Sequence, residues 1–126
     1  MNVYLISTHD QPGLAGRLFE AAAARGVNVS PTYGLADGTT ALMVVGSDDE
    51  AGLSAAIADA GVSATRIELI VTEVENRAGT GAIIFRKLAD AGVNLRVAVP
   101  VGMNGDRLQL GLGASDPEPL RRVLGA

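Results

Sequence analysis

The sequence predicts an α+β protein built from two copies of one small unit, each with helices covering one face of an antiparallel sheet. Two observations predict it. A set of glycines, a phenylalanine and an asparagine recurs at a fixed spacing, and apolar runs of strand and helix period alternate between turn signals. With 126 residues, 48% of them hydrophobic, the chain is long enough to form two very small packed units.

An internal repeat organises the chain. The residues around Gly13 recur around Gly79, at a shift of 66 positions. The same shift superimposes further matched pairs: Phe19 and Phe85, Gly26 and Gly92, and Asn28 and Asn94. Matches kept in register at one spacing indicate a duplication, so we expect one unit over residues 1–65 and a second over 66–126.

The first copy reads as strand, helix, strand, strand, helix. Apolar and β-branched runs predict strands over 3–7, 27–33 and 40–45, the last two joined by a turn at Asp37-Gly38. The first helix follows Gly13 and ends at Gly26. The second helix is expected to be capped by Asp48 and ended by Gly61. Its apolar face is predicted to consist of Leu53, Ala56, Ile57 and Ala60.

The second copy repeats this order. A strand is predicted over 67–74, then a helix before Gly92, then two alternating strands over 97–103 and 108–112 around an Asn104-Gly105 turn. Pro117, after Ser115 or Asp116, opens a last helix. The stripe predicted to be buried on the first of these helices is Ile83, Ile84, Leu88 and Ala91.

These elements assemble into the split βαβ, or ferredoxin-like, βαββαβ unit, with both helices on one face of the sheet. Pro31 and Pro100 fall in the second strand of their units. Because proline cannot donate a ladder hydrogen bond, those strands are expected at sheet edges. No residues remain for a fourth strand after the last helix. The second unit either has three strands or takes a strand from elsewhere.

Composition excludes several classes of function. Ten Lys and Arg against fourteen Asp and Glu argue against a nucleic-acid partner, because phosphate binding needs a basic face. With no cysteine and one histidine, His9, thiolate chemistry is excluded and no metal is expected. Neither a signal peptide nor an apolar run of transmembrane length is recognisable. We therefore expect a cytoplasmic protein with no membrane partner and no cofactor.

The loop before each first helix is the candidate binding feature. Gly13 and Gly79 lie where a strand turns into a helix, so the backbone can approach a ligand closely. The free N–H groups and positive dipole end of the helix suit a carboxylate, and Asp10 or Asn76 nearby can take an ammonium group. Asp10 is better suited because it is charged. Both loops can equally be read as simple turns.

The motifs resemble those of the ACT-domain family, small amino-acid-sensing modules of βαββαβ form. The resemblance covers both copies. The chain as a whole is similar to stand-alone tandem ACT proteins, which have no attached catalytic domain. It rests on Asp10-Gln11-Pro12-Gly13-Leu14 with Gly26-Val27-Asn28-Val29, and on Asn76-Arg77-Ala78-Gly79 with Gly92-Val93-Asn94-Leu95.

The resemblance implies that an amino acid binds where two units meet, with the loop of one unit facing the strand entry of the other. On this basis Asn76 should approach Asn28, and Asp10 should approach Asn94. The implied ligand-binding residues are Asp10, Gln11, Pro12, Gly13, Leu14, Asn28, Val29, Asn76, Arg77, Ala78, Gly79, Asn94 and Leu95. In the alternative reading, Asn28 and Asn94 bind no ligand and only stabilise the strand entry, through hydrogen bonds to the local backbone.

The second loop departs from the family pattern, because Ala78 stands where proline is usual and Thr80 where a large apolar residue is usual. The resemblance therefore leaves the geometry of the second loop open.

The expected function is that of a non-enzymatic regulatory, allosteric sensor that binds an amino acid, forms a homodimer and acts on a partner protein whose identity the sequence does not give. No nucleophile–base pair can be assembled, because Ser7, Thr8, His9 and Asp10 point to alternating faces of a strand. Two alternatives remain open. One is a small ferredoxin-like enzyme, of the acyl-phosphate hydrolase or isomerase type. The other is a dimerisation module that binds no metabolite.

Overall fold

The computed structural model describes residues 1–125 and divides the chain into two compact units. One unit comprises Asn2–Arg66, and the other comprises Met1 with the residues from Ile67 onward. In the described residues no helix is long and apolar enough to cross a bilayer.

The first unit is a complete βαββαβ unit. Its elements are β1 (Asn2–His9), α1 (Leu14–Ala24), β2 (Thr32–Ala36), β3 (Thr40–Gly46), α2 (Glu50–Asp59) and β4 (Ala64–Glu68). The boundary between the two units falls within β4, whose last two residues, Ile67 and Glu68, are counted with the other unit. The strands form one sheet in the order β2-β3-β1-β4, in which β3 runs antiparallel to both β1 and β2. This is the strand order of the ferredoxin-like fold, so the fold class predicted from the sequence is confirmed.

The core of the first unit lies between its sheet and its two helices. Leu18 and Leu53 are fully buried at the centre of the α1 and α2 faces. An ion pair also joins the two helices, because Arg25 Nε lies 2.6 Å from Asp59 Oδ2. The buried cluster consists of Ile6, Leu14, Leu18, Ala22, Val27, Ala41, Met43, Val45, Leu53, Ala56 and Ile57.

The second unit repeats the first, with no fourth strand among the described residues. Its elements are β5 (Ile70–Glu75), α3 (Thr80–Asp90), β6 (Leu95–Asn104), β7 (Arg107–Ala114) and α4 (Pro117–Leu124). Its sheet is antiparallel, in the order β5-β7-β6. The outer edge of β5 therefore has no neighbouring strand among the described residues. The buried cluster is correspondingly smaller: Ile70, Leu88, Leu112, Ala114 and Leu120.

The second strand of each unit lies at a sheet edge, as the prolines predicted, but the strand bounds differ. β2 begins at Thr32, so Pro31 precedes the strand and residues 27–30 form a connection. Val27 is the reason: its N–H donates to Ala22 O, which closes the end of α1, and its side chain turns into the core.

The predicted strand over 67–74 is wrong, because the chain forms two strands there. β4 ends at Glu68 and β5 begins at Ile70, and each strand belongs to a different sheet. The sequence does not reveal this change of sheet, because apolar and β-branched residues predominate on both sides of it. Leu69, between the two strands, is itself buried and is not a turn residue.

The second-unit helix and hairpin also differ in detail. The buried stripe of α3 is narrower than predicted: Leu88 is buried and Ile84 packs against the core, whereas Ile83 is 59% exposed and Ala91 is exposed. In β6 the register shifts between Pro100 and Gly102, which reverses the alternation and leaves Met103 exposed. The hairpin turn lies one residue later than predicted, at Gly105-Asp106.

The N-cap of α2 is Asp49, which corrects the prediction of Asp48. Asp49 Oδ1 accepts a hydrogen bond from Gly52 N at 2.9 Å, whereas Asp48 is exposed one position too early to reach the free N–H groups of the first turn. Of the two caps predicted for α4, Ser115 and Asp116, the structure confirms Asp116. Its side chain accepts a hydrogen bond from Glu118 N at 3.2 Å, and Pro117 begins the helix.

Candidate functional site

The first candidate loop joins β1 to α1 and is held by the β2–β3 hairpin. Asp10 N donates a 2.8 Å hydrogen bond to Thr39 O. The hairpin turn is itself fixed by Asp37, whose Oδ1 accepts from Thr39 N and Thr40 N at 2.8 Å each. The bonds from Thr40 and Thr39 stabilise the carboxylate and lower the pKa of Asp37. Asp37 thus positions Thr39, and Thr39 positions Asp10.

Helix α1 begins without a side-chain cap. Gly13 occupies its N-cap position in the left-handed conformation, with φ of 87°, and no acidic residue lies in the first turn. The other unit repeats this arrangement at Gly79, with φ of 91°, before α3. By contrast α2 and α4 each have an aspartate cap. The N–H groups at the start of α1 are therefore available to an anionic group, whereas at the start of α3 Thr80 N already donates to Arg77 O at 3.4 Å.

An open cavity of about 340 Å³ lies beside the first loop. Asp10 and Gln11 lie at its rim together with Gly13, and Leu14 contributes an apolar wall. Pro12 is exposed on the adjoining turn. The opposite walls come from β2 and β3, which sequence reasoning did not assign to the site. These missed residues are Gly34, Leu35, Ala36, Ala41, Leu42 and Met43.

The strand-entry position Asn28 lies in a different cavity of the first unit, of about 360 Å³. Its lining is polar and comprises Gly26, Asn28, Ser30, Ser47, Asp48 and Asp49. Asn28 itself is exposed, while Val29 is half-buried and packs against the core. Within this unit, then, Asp10 and Asn28 do not converge on one cavity.

The second candidate loop has the same backbone start but different surroundings. Asn76 N donates to Asp106 O at 3.3 Å, and the guanidinium of Arg77 pairs with Glu75 on β5. Asn76, Arg77 and Ala78 are all exposed. With Ala78 and Thr80 in place of proline and a large apolar residue, the loop turns back on its own strand, since Arg77 N also donates to Glu75 O.

The cavity beside the second loop opens at a different place, between β5, α3 and α4. Its volume is about 300 Å³, and Arg77 and Lys87 place two cations at its rim. The remaining lining residues are Thr72, Val74, Glu75, Thr80, Ile83, Ile84, Val123 and Leu124. No position of β6 lines this cavity, whereas β2 lines the cavity of the first unit.

The last two predicted site residues lie at the entry to β6. Asn94 is exposed just before the strand, and Leu95, its first residue, packs against the second core. Across residues 1–125 neither Asn28 nor Asn94 makes a side-chain hydrogen bond, so both amides are available to a ligand.

The rest of the described chain offers few groups for chemistry. No polar or charged residue in it is buried, and no three His, Asp or Glu side chains gather within reach of one ion. His9 is exposed at the end of β1, opposite Thr40.

Comparison with known proteins rests on structure alone. No family model matches the sequence, and no curated protein matches it either. A protein from Bacteroides thetaiotaomicron, BT0572, superimposes with a TM-score of 0.79 at 15% identity, over 98% of this chain and 85% of that one.

Two aspartate kinase structures are also similar. The ligand-free regulatory subunit from Thermus thermophilus gives a TM-score of 0.61 at 21% identity, over 98% of this chain and 89% of that one. The Clostridium acetobutylicum enzyme gives 0.65 at 15% identity, over 98% of this chain but 31% of that one. At these identities the likeness shows the fold: two ACT-type units in tandem.

Proposed function

We propose that this protein, which has the tandem ACT-domain fold, is a non-catalytic regulatory protein that binds an amino acid and passes its bound state to a partner protein. The observation that carries the proposal is the start of α1. Its uncapped N-terminus, begun by Gly13 in the left-handed conformation, lies on the rim of a 340 Å³ cavity beside the carboxylate of Asp10.

These groups match the two ends of an amino acid. The N–H groups of the first turn of α1 suit the ligand's carboxylate, since a helix N-terminus offers free donors and a positive dipole end. Asp10 suits the α-ammonium group as a charge-assisted acceptor. The walls formed by Leu14, Leu42 and Met43 are apolar, which favours an amino acid with an apolar side chain.

The complete site, in this proposal, includes the strand entry of another unit. Asp10 is joined by Asn94, whose amide hydrogen-bonds the ligand, and Asn76 faces Asn28 in a second pairing that has no carboxylate for the ammonium group. What supports this is that both amides are exposed and unbonded in the described residues. The arrangement calls for a homodimer. If the junction between units has two arrangements, a ligand that binds one of them more tightly shifts the dimer toward it and so passes on a signal. We place the protein in the cytoplasm.

Calorimetry of the full chain against each of the twenty amino acids tests the ligand. We expect one of them, or a chemically related group, to bind with a dissociation constant in the micromolar to millimolar range. Asp10→Asn should weaken that binding about tenfold, because the charged hydrogen bond to the ammonium is lost. The control Asp90→Asn changes an acid that is 70% exposed at the end of α3 and should leave affinity unchanged.

The same experiment separates the alternatives. If circular dichroism shows the protein folded and none of the twenty titrations gives heat, the ligand part of the proposal is wrong and a dimerisation module remains. Binding that is equally strong in wild type and Asp10→Asn places the ligand elsewhere.

A further inference from the structure

An open cavity of the second unit, between β5, α3 and α4, has mostly apolar walls. Ile84, Val123 and Leu124 line it and pack against the core of this unit, yet each is only half-buried. Ile83 beside them is 59% exposed. The volume of about 300 Å³ is at the lower end of the range for small-molecule sites. An apolar group of a ligand that displaces water from these walls is stabilised by burial.

Two cations and one carboxylate lie at the rim of this cavity. The guanidinium group of Arg77 pairs with the carboxylate of Glu75. The ammonium group of Lys87 has no ion pair or hydrogen bond within the described residues. The lining therefore carries one net positive charge, which lies on Lys87. One charge suits a monoanion, whereas a phosphate monoester brings nearly two negative charges close to Glu75.

The cavities beside the two loops differ in the charge that is left unpaired. In the first, the carboxylate of Asp10 has no cationic partner in the described residues, so it suits an ammonium group. In the second, the carboxylate of Glu75 is already paired with Arg77, and Lys87 repels an ammonium group. The second cavity therefore favours a carboxylate without an ammonium group over an amino acid.

We propose that the cavity between β5, α3 and α4 binds a small apolar monocarboxylate that has no ammonium group, which is the chemistry of a short-chain or branched-chain fatty acid. Its hydrocarbon part lies against Ile83 and Leu124, and its carboxylate pairs with the ammonium group of Lys87. The hydroxyl groups of Thr72 and Thr80 line the same cavity and are further donors. The inference goes beyond the function proposed above and does not depend on the amino acid.

Amide NMR spectra of the full chain, labelled with nitrogen-15, test the site with 4-methylpentanoate, which is leucine without its α-ammonium group. We expect saturable shifts in β5, α3 and α4 and a dissociation constant in the millimolar range, as is usual for so small a ligand. Hexanoate, with the same number of carbon atoms, should bind within about threefold of it. The neutral 4-methylpentan-1-ol should bind about threefold more weakly or worse, because it has no charge to pair with Lys87.

Two substitutions test the charged contact and the apolar wall. Lys87→Gln should weaken the binding of 4-methylpentanoate about threefold, because the exposed ion pair is lost, whereas Lys87→Arg should keep the affinity of wild type. The matched control, Arg86→Gln, removes the same charge from the next position of α3, on a side chain that does not line this cavity, and should change nothing. Val123→Ala removes part of the wall and should also weaken binding about threefold, with circular dichroism to show that it is folded.

Three results overturn the proposal. The first is the absence of shifts with 4-methylpentanoate and hexanoate up to about 20 mM in folded protein. The second is a loss of affinity in Arg86→Gln as large as that in Lys87→Gln, which would show a general attraction of anions to α3. The third is a set of shifts confined to the surroundings of Phe85, with none in β5 or α4, which would place the ligand on the outer face of α3.

Titration of both classes of ligand into the same proteins keeps the two proposals separate. Lys87→Gln should leave the affinity for the amino acid unchanged, because Lys87 does not line the first cavity. A protein that binds 4-methylpentanoate in this cavity but none of the twenty amino acids keeps this inference and loses the function proposed above. A protein that binds an amino acid but neither carboxylate loses this inference alone.

Discussion

The side chain of Ile67 lies directly over Gly113: a Cβ atom built on Gly113 would come within 2.7 Å of Ile67 Cγ2. The relationship repeats two residues away in each segment, since a Cβ on Gly111 would lie 2.6 Å from Leu69 Cδ2. Ile67 and Leu69 are 4% and 1% exposed. The two glycines of β7 are therefore sites of close approach, and each leaves space that a large apolar side chain fills.

Alanine at either glycine should destabilise the protein. We expect Gly113→Ala and Gly111→Ala each to lower the free energy of unfolding by about 1–3 kcal/mol, because the added methyl group overpacks a filled site. Urea titrations followed by circular dichroism measure this. The matched control is Gly34→Ala in β2, where a Cβ meets nothing closer than 3.6 Å. Equal midpoints for Gly113→Ala and Gly34→Ala would contradict this packing.

Sequence reasoning found the duplication and the βαββ order of each unit, because both depend on local signals that occur in each copy. It also predicted that no fourth strand follows the last helix, as in the described part of the second unit. It missed what depends on packing between elements. Nothing in the sequence around Gly111 and Gly113 signals that Ile67 and Leu69 approach them closely, because this contact joins residues that are far apart along the chain. The change of sheet at Leu69 was missed for the same reason: a buried residue joins two strands without a turn.

The N-cap of α2 gives a prediction in which neighbouring aspartates differ. Asp49→Ala should lower the free energy of unfolding by about 1 kcal/mol, because the hydrogen bond from Gly52 N is lost. Asp48→Ala should change it by no more than a few tenths of a kcal/mol, since its exposed side chain has no hydrogen bond in the described structure. Thermal melts of the two variants beside wild type measure the difference. A larger loss of stability in Asp48→Ala than in Asp49→Ala would show that Asp48, and not Asp49, caps the helix.

Asp37 makes stability depend on pH in a known direction. Its pKa is lowered in the folded protein by the N–H groups of Thr40 and Thr39, so the folded state favours the charged form. The contribution is present above the ordinary aspartate pKa of about 3.9 and is lost as the pH falls through the lower folded value. Asp37→Asn keeps an acceptor oxygen but loses the charge. The variant should therefore unfold at a lower urea concentration than wild type at pH 7.

The difference between wild type and Asp37→Asn should shrink as the pH falls below about 4, where Asp37 of the unfolded chain becomes protonated, and it should be lost once the pH is below the lowered pKa of the folded protein. Urea midpoints at a series of pH values measure it, with Asp48→Asn as a control that should follow wild type throughout. A difference in urea midpoint that stays constant down to the lowest pH would show that the amide group itself, and not the missing charge, destabilises Asp37→Asn.

The candidate site was predictable where it lies on the loops and not where it lies on the sheet. Gly13 and Gly79 carry a local signal, and both adopt the left-handed conformation that the signal implies. The walls of the first cavity come from β2 and β3, whose small residues, such as Gly34 and Ala41, look like ordinary strand positions in the sequence. The different surroundings of the second loop were not predictable, since Ala78 and Thr80 mark a departure from the family pattern without giving the geometry that results.

The inequality of the two loops gives a prediction about stoichiometry. The first loop combines Asp10 with an apolar cavity, whereas the second has Asn76 beside a cavity whose rim carries Arg77 and Lys87. We expect one amino acid per chain in wild type. Restoring the acid alone, by Asn76→Asp, should not create a second site, because Arg77 and Lys87 compete with an ammonium group for the new carboxylate.

Calorimetric stoichiometry measures this, with Asp10→Asn/Asn76→Asp as the companion variant. If the local acid were sufficient, the companion variant would bind as tightly as wild type, with the site moved from one loop to the other. We expect it to bind as weakly as Asp10→Asn alone, since the first cavity has lost its acid, and Asn76 does not line the second cavity, whose rim carries Arg77 and Lys87. Two ligands per wild-type chain would show instead that the two loops are equivalent.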